Sequence, residues 1–320
     1  MTPTVRRLAI RIAGLVVTLL VTSFLVFASI YLAPGDPIDF LIRGRQPTPE
    51  AIAAIKAQYF LDQPFWSQYW HWLSGVVHGD FGRSFEFRQQ VSEVIASRLP
   101  TTLILISYSA VIILVVGLTL GIIGALRAGR PSDKITLVLT TVLAAIPTFV
   151  ASILLISVFS VRLGVFPTFG TGDGTLWDTL YHLTLPAIAL ALTFIALLSR
   201  VTRSAMLEEL SREHVEVATS RGMSRRAVVV RHVLRNALGP VTTITGLLIA
   251  GLLVSTSVIE SAFGISGIGS LLVTSVDKMD FPVVQAVTLI VVATFVIVNL
   301  VVDLLQPIID PRIAAETGGQ

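Results

Sequence analysis

The sequence predicts an all-α integral membrane protein with six transmembrane helices. Hydrophobic residues make up 53% of the 320-residue chain and charged residues only 13%, about half the charged fraction of soluble domains. Apolar runs of roughly twenty residues, the length that crosses a bilayer, recur along the whole chain. Arginines cluster beside these runs rather than within them, which is typical of loops that face the cytoplasm.

The first predicted helix covers residues 12–33 and follows Arg6, Arg7 and Arg11. A positively charged start and an apolar core are also features of a cleaved signal peptide. This run is longer than a usual signal-peptide core, and no A-x-A-like cleavage site follows it. We therefore interpret it as a retained helix whose N-terminus lies in the cytoplasm.

A long and more polar segment separates the first two predicted spans and is expected to lie outside the membrane. Pro34-Gly-Asp-Pro37 predicts a turn, and Thr48 followed by Pro49 predicts a helix start. Residues 65–73 are aromatic-rich and amphipathic, which is typical of a helix at the membrane interface. A stack of aromatic rings that binds a ligand is the alternative. Residues 79–84 predict a further turn.

Five further helices are predicted to cross the bilayer, over residues 101–126, 135–161, 182–199, 238–259 and 280–302. Gly117 and Gly121 lie four residues apart in the second span, a spacing that lets another helix approach closely. Pro147 lies within the third span and Pro186 near the start of the fourth, and prolines can kink helices. Glycines across residues 162–181 predict a loop.

The distribution of positive charge predicts the orientation of these spans. With the N-terminus inside, the short outside loops contain only Arg162 and Lys278, whereas the inside loops are rich in arginine. Both termini are then cytoplasmic. Because the arginines flank apolar spans, the basic balance of the chain does not indicate a nucleic-acid partner. The chain has no cysteine, which excludes disulfides and thiol chemistry.

The longest polar stretch in the second half of the chain covers residues 211–235. Ser211 is predicted to cap a short helix with Glu213 in its first turn, where negative charge is favourable. Gly222 provides a left-handed residue that can end this helix, and Ser224 is predicted to cap the next one. A short helix, a tight turn and a second helix form a knuckle that suits a groove on another protein.

Glu216-Val-Ala218, followed after three residues by Gly222, resembles the EAA-type loop of bacterial ABC-importer permeases. The continuation Arg231-His-Val-Leu-Arg-Asn-Ala237 with Pro240 is similar to the dipeptide and oligopeptide permease branch. The resemblance implies the type I ABC importer transmembrane-domain fold, with this loop docked on an ATPase subunit. The residues implied to contact the ATPase are Glu213, His214, Val215, Glu216, Ala218, Arg221, Gly222 and Met223. A solvated basic loop is the alternative, since short motifs also occur by chance.

Further stretches resemble the same branch in the same order. Pro34-Gly-Asp-Pro37, Leu61-Asp-Gln-Pro64 and residues 78–84 are similar to its extracytoplasmic segment. Residues 260–269 resemble the loop that re-enters the top of the translocation pathway, although Ser266 stands where the family often has proline. The residues implied to form this gate are Glu260, Phe263, Gly267 and Gly269. A glycine-rich connector is the alternative.

The resemblance implies one permease subunit of an ATP-driven importer of dipeptides or oligopeptides in the bacterial cytoplasmic membrane. It implies a second permease, two ATP-binding subunits and an extracytoplasmic solute-binding protein as partners. ATP and Mg²⁺ would bind to the ATPases, and this chain would carry no cofactor of its own. The implied division has three parts. Residues 1–94 are the first transmembrane helix and the extracytoplasmic segment, residues 95–312 are the permease core, and residues 313–320 are a cytoplasmic tail. Nickel chelates, haem or glutathione are alternative cargoes, because a fold does not fix a function.

The residues also favour partner-driven transport independently of the resemblance. No charged residue lies in the middle of the predicted spans, where ion-coupled transporters place their relays. The sequence lacks G-x-x-x-x-G-K-[ST], so it is not expected to bind ATP itself. The histidines are scattered and form no metal-binding motif. The sequence also shows no nucleophile–base pair, so it does not favour an intramembrane enzyme. A structural membrane subunit without a pathway stays an alternative.

Overall fold

The computed structural model describes residues 3–32, 50 and 62–309. These residues form helices joined by turns, with an isolated antiparallel bridge between Arg83 and Gln90. Five of their helices are long and apolar enough to cross a membrane, and six if one bent pair counts as a single span. The predicted all-α membrane fold is therefore confirmed. The predicted turn at residues 34–37, the helix start at 48–49 and the tail lie outside the described residues.

The helices are numbered here in chain order. They are α1 (Pro3–Leu32), α2 (Phe65–Val77), α3 (Val91–Leu126), α4 (Pro131–Ala145), α5 (Thr148–Arg162), α6 (Leu176–Leu210), α7 (Glu213–Ser220), α8 (Arg225–Ala262), α9 (Ile268–Asp277) and α10 (Phe281–Ile309). Wider π-helical turns occur at Ile113–Gly117 in α3, Ile156–Arg162 in α5 and Val229–Leu234 in α8. Helices suit a lipid environment because each pairs its own backbone groups.

The predicted spans differ from the helices of the structure in two ways. The apolar runs at 101–126 and 182–199 belong to longer helices, because α3 begins at Val91 and α6 extends from Leu176 to Leu210. The predicted single span at 135–161 is instead broken into α4 and α5, which are bent by 101°. Pro147 explains the break, because its ring clashes with a preceding helical turn and it lacks an amide hydrogen. Ile146 is accordingly extended, with ψ 118°.

The described chain divides into two compact units, Met1–Pro100 with Ser270–Thr294 and Thr101–Gly269 with Phe295–Gln320. In the first unit, aromatic rings join α1 to α2. The ring of Phe27 lies 5.4 Å from Phe65 and 5.5 Å from Tyr69, centroid to centroid, and the hydroxyls of Ser23 and Tyr69 are 2.8 Å apart. The predicted amphipathic helix is thus confirmed as α2, with one aromatic face packed on α1.

The first unit also contains a buried carboxylate that holds a turn. Asp280 accepts a hydrogen bond from the hydroxyl of Ser84 at 2.5 Å and from the amides of Phe85 and Glu86 at 3.1 and 3.3 Å. Asp280 is fully buried, so these donors replace the water that an ionised carboxylate would otherwise need. The carboxylate therefore ties the turn that follows residues 79–84 to the start of α10.

In the second unit, the other helices pack around α6. In the apolar centre of α6, 61% of the residues are buried, compared with 11% to 39% in the other long apolar helices. Helix α3 lies against it at two glycines. A β-carbon on Gly117 would lie 3.0 Å from the Leu198 side chain, and one on Gly121 would lie 2.7 Å from the Ser199 carbonyl oxygen. The predicted role of these small residues in close helix packing is confirmed.

Replacing Gly121 by alanine should destabilise the subunit. The added methyl group would meet the backbone of α6, which cannot yield without moving the helix, and such overpacking typically costs about 1–3 kcal/mol. Thermal unfolding of the purified protein in detergent should show a lower midpoint for Gly121→Ala. Gly14→Ala is the matched control, because a β-carbon at Gly14 meets nothing within 4 Å. An unchanged midpoint for Gly121→Ala would contradict this account of the α3–α6 contact.

Candidate functional site

The polar stretch 211–235 forms a helix, a turn and a second helix, as predicted, but it begins differently. Ser211 ends α6 instead of capping α7, and its hydroxyl donates to the Glu208 carbonyl at 2.8 Å. Arg212 occupies the N-cap position of α7 and its side chain makes no capping hydrogen bond. The sequence prediction for Ser211 is therefore wrong. The reason is that α6 continues past the end of its apolar run and reaches this residue.

The turn after α7 closes on Gly222 as predicted. Gly222 has φ +78°, and its amide donates to the Thr219 carbonyl at 3.0 Å. The Met223 amide donates to the Ala218 carbonyl at 3.3 Å, which completes the hydrogen-bond pattern of a Schellman helix end. Ser224 then caps α8, because its hydroxyl accepts from the Ala227 amide at 3.4 Å. The end of α7 and the start of α8 are thus both held by defined hydrogen bonds.

One side of α7 is buried within the subunit. Val215 and Ala218 are 7% and 5% exposed, and they belong to an apolar cluster with Met206, Val228 and Val233. These two predicted contact residues therefore face the subunit's own core. Their spacing of three places them on one side of a helix, but the sequence did not indicate which side would be covered.

The opposite side of α7 is open to solvent. The exposed residues of α7 and of the turn after it are Glu213, Glu216, Val217, Thr219, Ser220, Arg221 and Gly222. Val217 is an apolar side chain that is 49% exposed, and the sequence prediction did not include it. Its position two residues after the buried Val215 is the signal that could have identified it. The exposed side thus combines carboxylates, an arginine and one apolar contact point.

Charged and polar side chains at the start of α7 contact the end of α6 and the first part of α8. His214 lies 3.7 Å from the Glu209 carboxylate on α6 and 3.2 Å from the Asn236 amide on α8, both measured from Nε2. Arg212 pairs with Glu208 at 2.8 Å and with Glu209 at 3.0 Å. His214 therefore connects α7 to two long helices, in addition to any role at the exposed surface.

A further ion pair of the second unit, between Arg203 and Asp133, was not predicted from the sequence. Arg203 donates two hydrogen bonds, both 2.8 Å long, to the two carboxylate oxygens of Asp133. Asp133 is 3% exposed and also accepts from the Gly129 amide at 3.0 Å. The bidentate pair joins the start of α4 to α6. Asp133 follows the helix start at Pro131, and nothing local in the sequence pairs it with Arg203.

The second predicted site was expected to be a loop over residues 260–269, but residues 260–262 are the end of α8 and residues 268–269 the start of α9, with a short turn between them. Glu260 is fully buried, and its Oε1 accepts a hydrogen bond from the Thr102 hydroxyl at 2.7 Å. The same hydroxyl oxygen accepts from the Ile268 amide at 2.8 Å. Thr102 therefore bridges the two ends of the loop from α3, a partner that the sequence prediction did not include.

The predicted glycines lie where a side chain would not fit. A β-carbon on Gly267 would lie 2.2 Å from Glu260 Oε1, and one on Gly269 would lie 2.5 Å from the Ser257 amide nitrogen. Phe263 is 2% exposed, and its carbonyl accepts from the Gly170 amide at 3.1 Å. The structure thus brings Glu260, Phe263, Gly267 and Gly269 together. The short apolar helix α9, which was not predicted, begins at Ile268 and so includes Gly269.

Comparison with known families agrees with this architecture. Residues 117–315 match the family described as the binding-protein-dependent transport system inner membrane component, and residues 4–106 match the N-terminal part of such membrane components. The chain belongs to this family of ABC-importer permease subunits. It is accordingly a multi-pass inner membrane protein and a transport subunit.

Individual relatives support the assignment. The glutathione transport system permease protein GsiC of Escherichia coli strain K12 is 39% identical over 303 residues, which are 95% of this chain and 97% of that protein. GsiC of Salmonella typhi matches to the same extent. The inward-facing MetNI methionine ABC transporter has a TM-score of 0.54 at 15% identity, covering 68% of this chain and 96% of that one. An amino acid ABC transporter with histidines gives 0.52 at 18%, covering 67% and 94%. These two structures share the fold.

Replacing Thr102 by valine should loosen the 260–269 loop. The change leaves the Ile268 amide without its acceptor and removes a donor from Glu260, and an unsatisfied buried group costs about 1–3 kcal/mol. Hydrogen exchange should show faster exchange of the Ile268 amide in Thr102→Val. Thr119→Val is the control on the same helix, because the Thr119 hydroxyl bonds only to the carbonyl of Val115 one turn earlier. Equal protection in both variants would contradict the bridging role of Thr102.

Proposed function

We propose that this chain forms half of the translocation pathway of an ATP-driven importer and is coupled to an ATPase subunit through α7. The observation that carries the proposal is the construction of α7. Its buried side, at Val215 and Ala218, is fixed to the subunit's core, while its other side presents Glu213, Glu216 and Val217 outward. A short helix that is rigidly attached and openly presented is suited to pass a force from a docked partner to the spans.

The exposed side chains of α7 are better suited to contact with another protein than to contact with water alone. Val217 provides an apolar contact, and the neighbouring carboxylates and Arg221 provide directional polar contacts of both signs. Interfaces combine such an apolar centre with a polar rim. The contact residues that we propose are Glu213, His214, Glu216, Val217, Arg221, Gly222 and Met223, with Val215 and Ala218 holding the helix in place.

In the proposed cycle, ATP binding closes a pair of ATPase subunits and draws α7 toward its counterpart on a second permease. The movement opens the pathway toward an extracytoplasmic solute-binding protein, and hydrolysis resets it. ATP and Mg²⁺ act on the ATPases. In this proposal α7 and both termini lie on the cytoplasmic side, and the Glu260 loop lies at the outer end of the pathway. The arginine-rich loops on the same side as α7 support this orientation.

The proposed cargo is a short peptide. Sequence similarity to the dipeptide and oligopeptide branch supports this class, and the 39% identity with a glutathione transport system permease over 95% of the chain supports glutathione as the second candidate. Glutathione is itself a tripeptide, so both candidates share a backbone amide and a free carboxylate. The solute-binding protein would select between them.

Replacing Gly222 by aspartate should uncouple ATP hydrolysis from uptake while the subunit still folds. A β-carbon at Gly222 meets nothing within 4 Å, but the φ of +78° is unfavourable for a side chain, so the change distorts the turn that presents α7. Gly164→Asp is the control, with a φ of +62° and equally open space in another loop. Uptake and ATPase activity of the reconstituted complex provide the measurement. Normal coupled uptake by Gly222→Asp would exclude the proposed docking role of this turn.

Transport assays should separate the two cargo candidates. The tagged subunit is purified in mild detergent with the proteins that accompany it, reconstituted in vesicles with its solute-binding protein, and supplied with labelled dipeptide, oligopeptide or glutathione. ATP-dependent uptake of the dipeptide or oligopeptide is expected. Uptake of glutathione alone would replace the proposed cargo by the second candidate. Reproducible purification without any ATPase subunit would overturn the importer proposal itself.

A further inference from the structure

A basic pocket lies beside the knuckle, within the second unit. It has a volume of about 410 Å³ and opens between the end of α3 and the start of α8. Its lining includes Arg127, Arg130, Arg225, Arg226, Val229 and Val230. Four guanidinium groups thus surround a small aliphatic surface. The family assignment and the proposed coupling role of α7 do not account for this pocket.

In the part of the chain that the structure describes, none of the four arginines forms an ion pair with a carboxylate. The nearby Arg203 and Arg212, by contrast, are paired with Asp133, Glu208 and Glu209. Arg225 donates to the Leu126 carbonyl at 3.4 Å, which holds its guanidinium across the gap between α8 and α3. A cluster of this kind attracts an anion, and guanidinium groups are well suited to the oxygens of a phosphate.

Exposed apolar side chains lie next to the aliphatic side of the pocket. Val230 is 53% exposed and Ile123 is 37% exposed. On α3, the exposed residues Val115, Thr119 and Ile123 follow at intervals of four and form one open face that leads to the pocket. Arg127 and Arg130 come directly after the apolar run of α3, which is where lipid headgroups lie. The hydrogen bond to the Leu126 carbonyl holds Arg225 at the same end of α3. A soluble anion or an acidic protein surface would leave this apolar side uncovered.

We propose that this pocket binds the headgroup of an anionic phospholipid. The arginines hold the phosphate, while Val229 and Val230 contact the glycerol and the first acyl carbons. Basic pockets between membrane helices have this chemistry in general. The proposal does not depend on the cargo or on the docking of α7. A bound lipid would join the end of α3 to the start of α8, next to the turn at Gly222.

Lipid binding to the purified full-length chain provides the test. The protein is titrated in a neutral detergent with phosphatidylglycerol or with phosphatidylcholine of the same acyl chains, and bound lipid is counted by native mass spectrometry. Phosphatidylglycerol should bind preferentially. Because each basic residue near a lipid surface contributes about a fivefold change in affinity, Arg225→Gln/Arg226→Gln should bind it at least about tenfold more weakly.

A matched control removes the same charge outside the pocket. Arg231 and Arg235 are exposed on the same helix, and Arg231→Gln/Arg235→Gln should retain phosphatidylglycerol binding. Arg127→Gln/Arg130→Gln alters the other side of the pocket and should weaken binding as Arg225→Gln/Arg226→Gln does, so the test does not depend on one variant folding. Thermal unfolding in detergent verifies that each variant is folded.

Four outcomes would overturn the proposal. The first is equal binding of the two lipids. The second is an equal loss of binding in the control and the pocket variants. The third is displacement of the lipid by the same concentration of soluble glycerol phosphate, which would indicate a site for a free phosphate. The fourth is loss of a co-purifying ATPase with lipid binding unchanged, which would assign the arginines to a protein interface.

Discussion

The close contact between α6 and α3 is the packing on which the second unit depends. Lipid does not drive helices together as water does, so association relies on surfaces that fit closely. Gly117 and Gly121 provide such a surface, because a β-carbon at either position would meet α6. With α6 placed in this way, its C-terminal end carries Glu208 and Glu209. These two carboxylates contact Arg212 and His214 at the start of α7. The shape of the knuckle is therefore set by packing that begins within the spans.

Buried carboxylates tie distant parts of the chain together in both units. Asp280 holds the turn at Ser84, Asp133 holds Arg203, and Glu260 is joined to Thr102. Each accepts a hydrogen bond from a residue distant in sequence, as a buried polar group requires. These carboxylates therefore act as structural ties between segments that are far apart along the chain.

Two surfaces of different chemistry lie at and next to α7. Its exposed side carries carboxylates and Val217, which suits a protein groove, whereas the adjacent pocket carries Arg225 and Arg226 beside exposed aliphatic groups. Along the chain, the residues of α7 precede the turn at Gly222, and Arg225 and Arg226 follow it. The proposed protein contact and the proposed lipid site therefore use different residues of different chemistry.

The sequence by itself determined the apolar helices, the knuckle and the turn at Gly222, since these follow from hydropathy, caps and the conformational freedom of glycine. Tertiary structure alone decided the rest. The bridge from Thr102 to Glu260 joins residues 158 positions apart, and Ser211 belongs to α6 because that helix outlasts its apolar run. Val215 and Ala218 face inward because the cluster around Met206 covers them. A local pattern gives the sides of a helix, but only the neighbouring helices determine which side is buried.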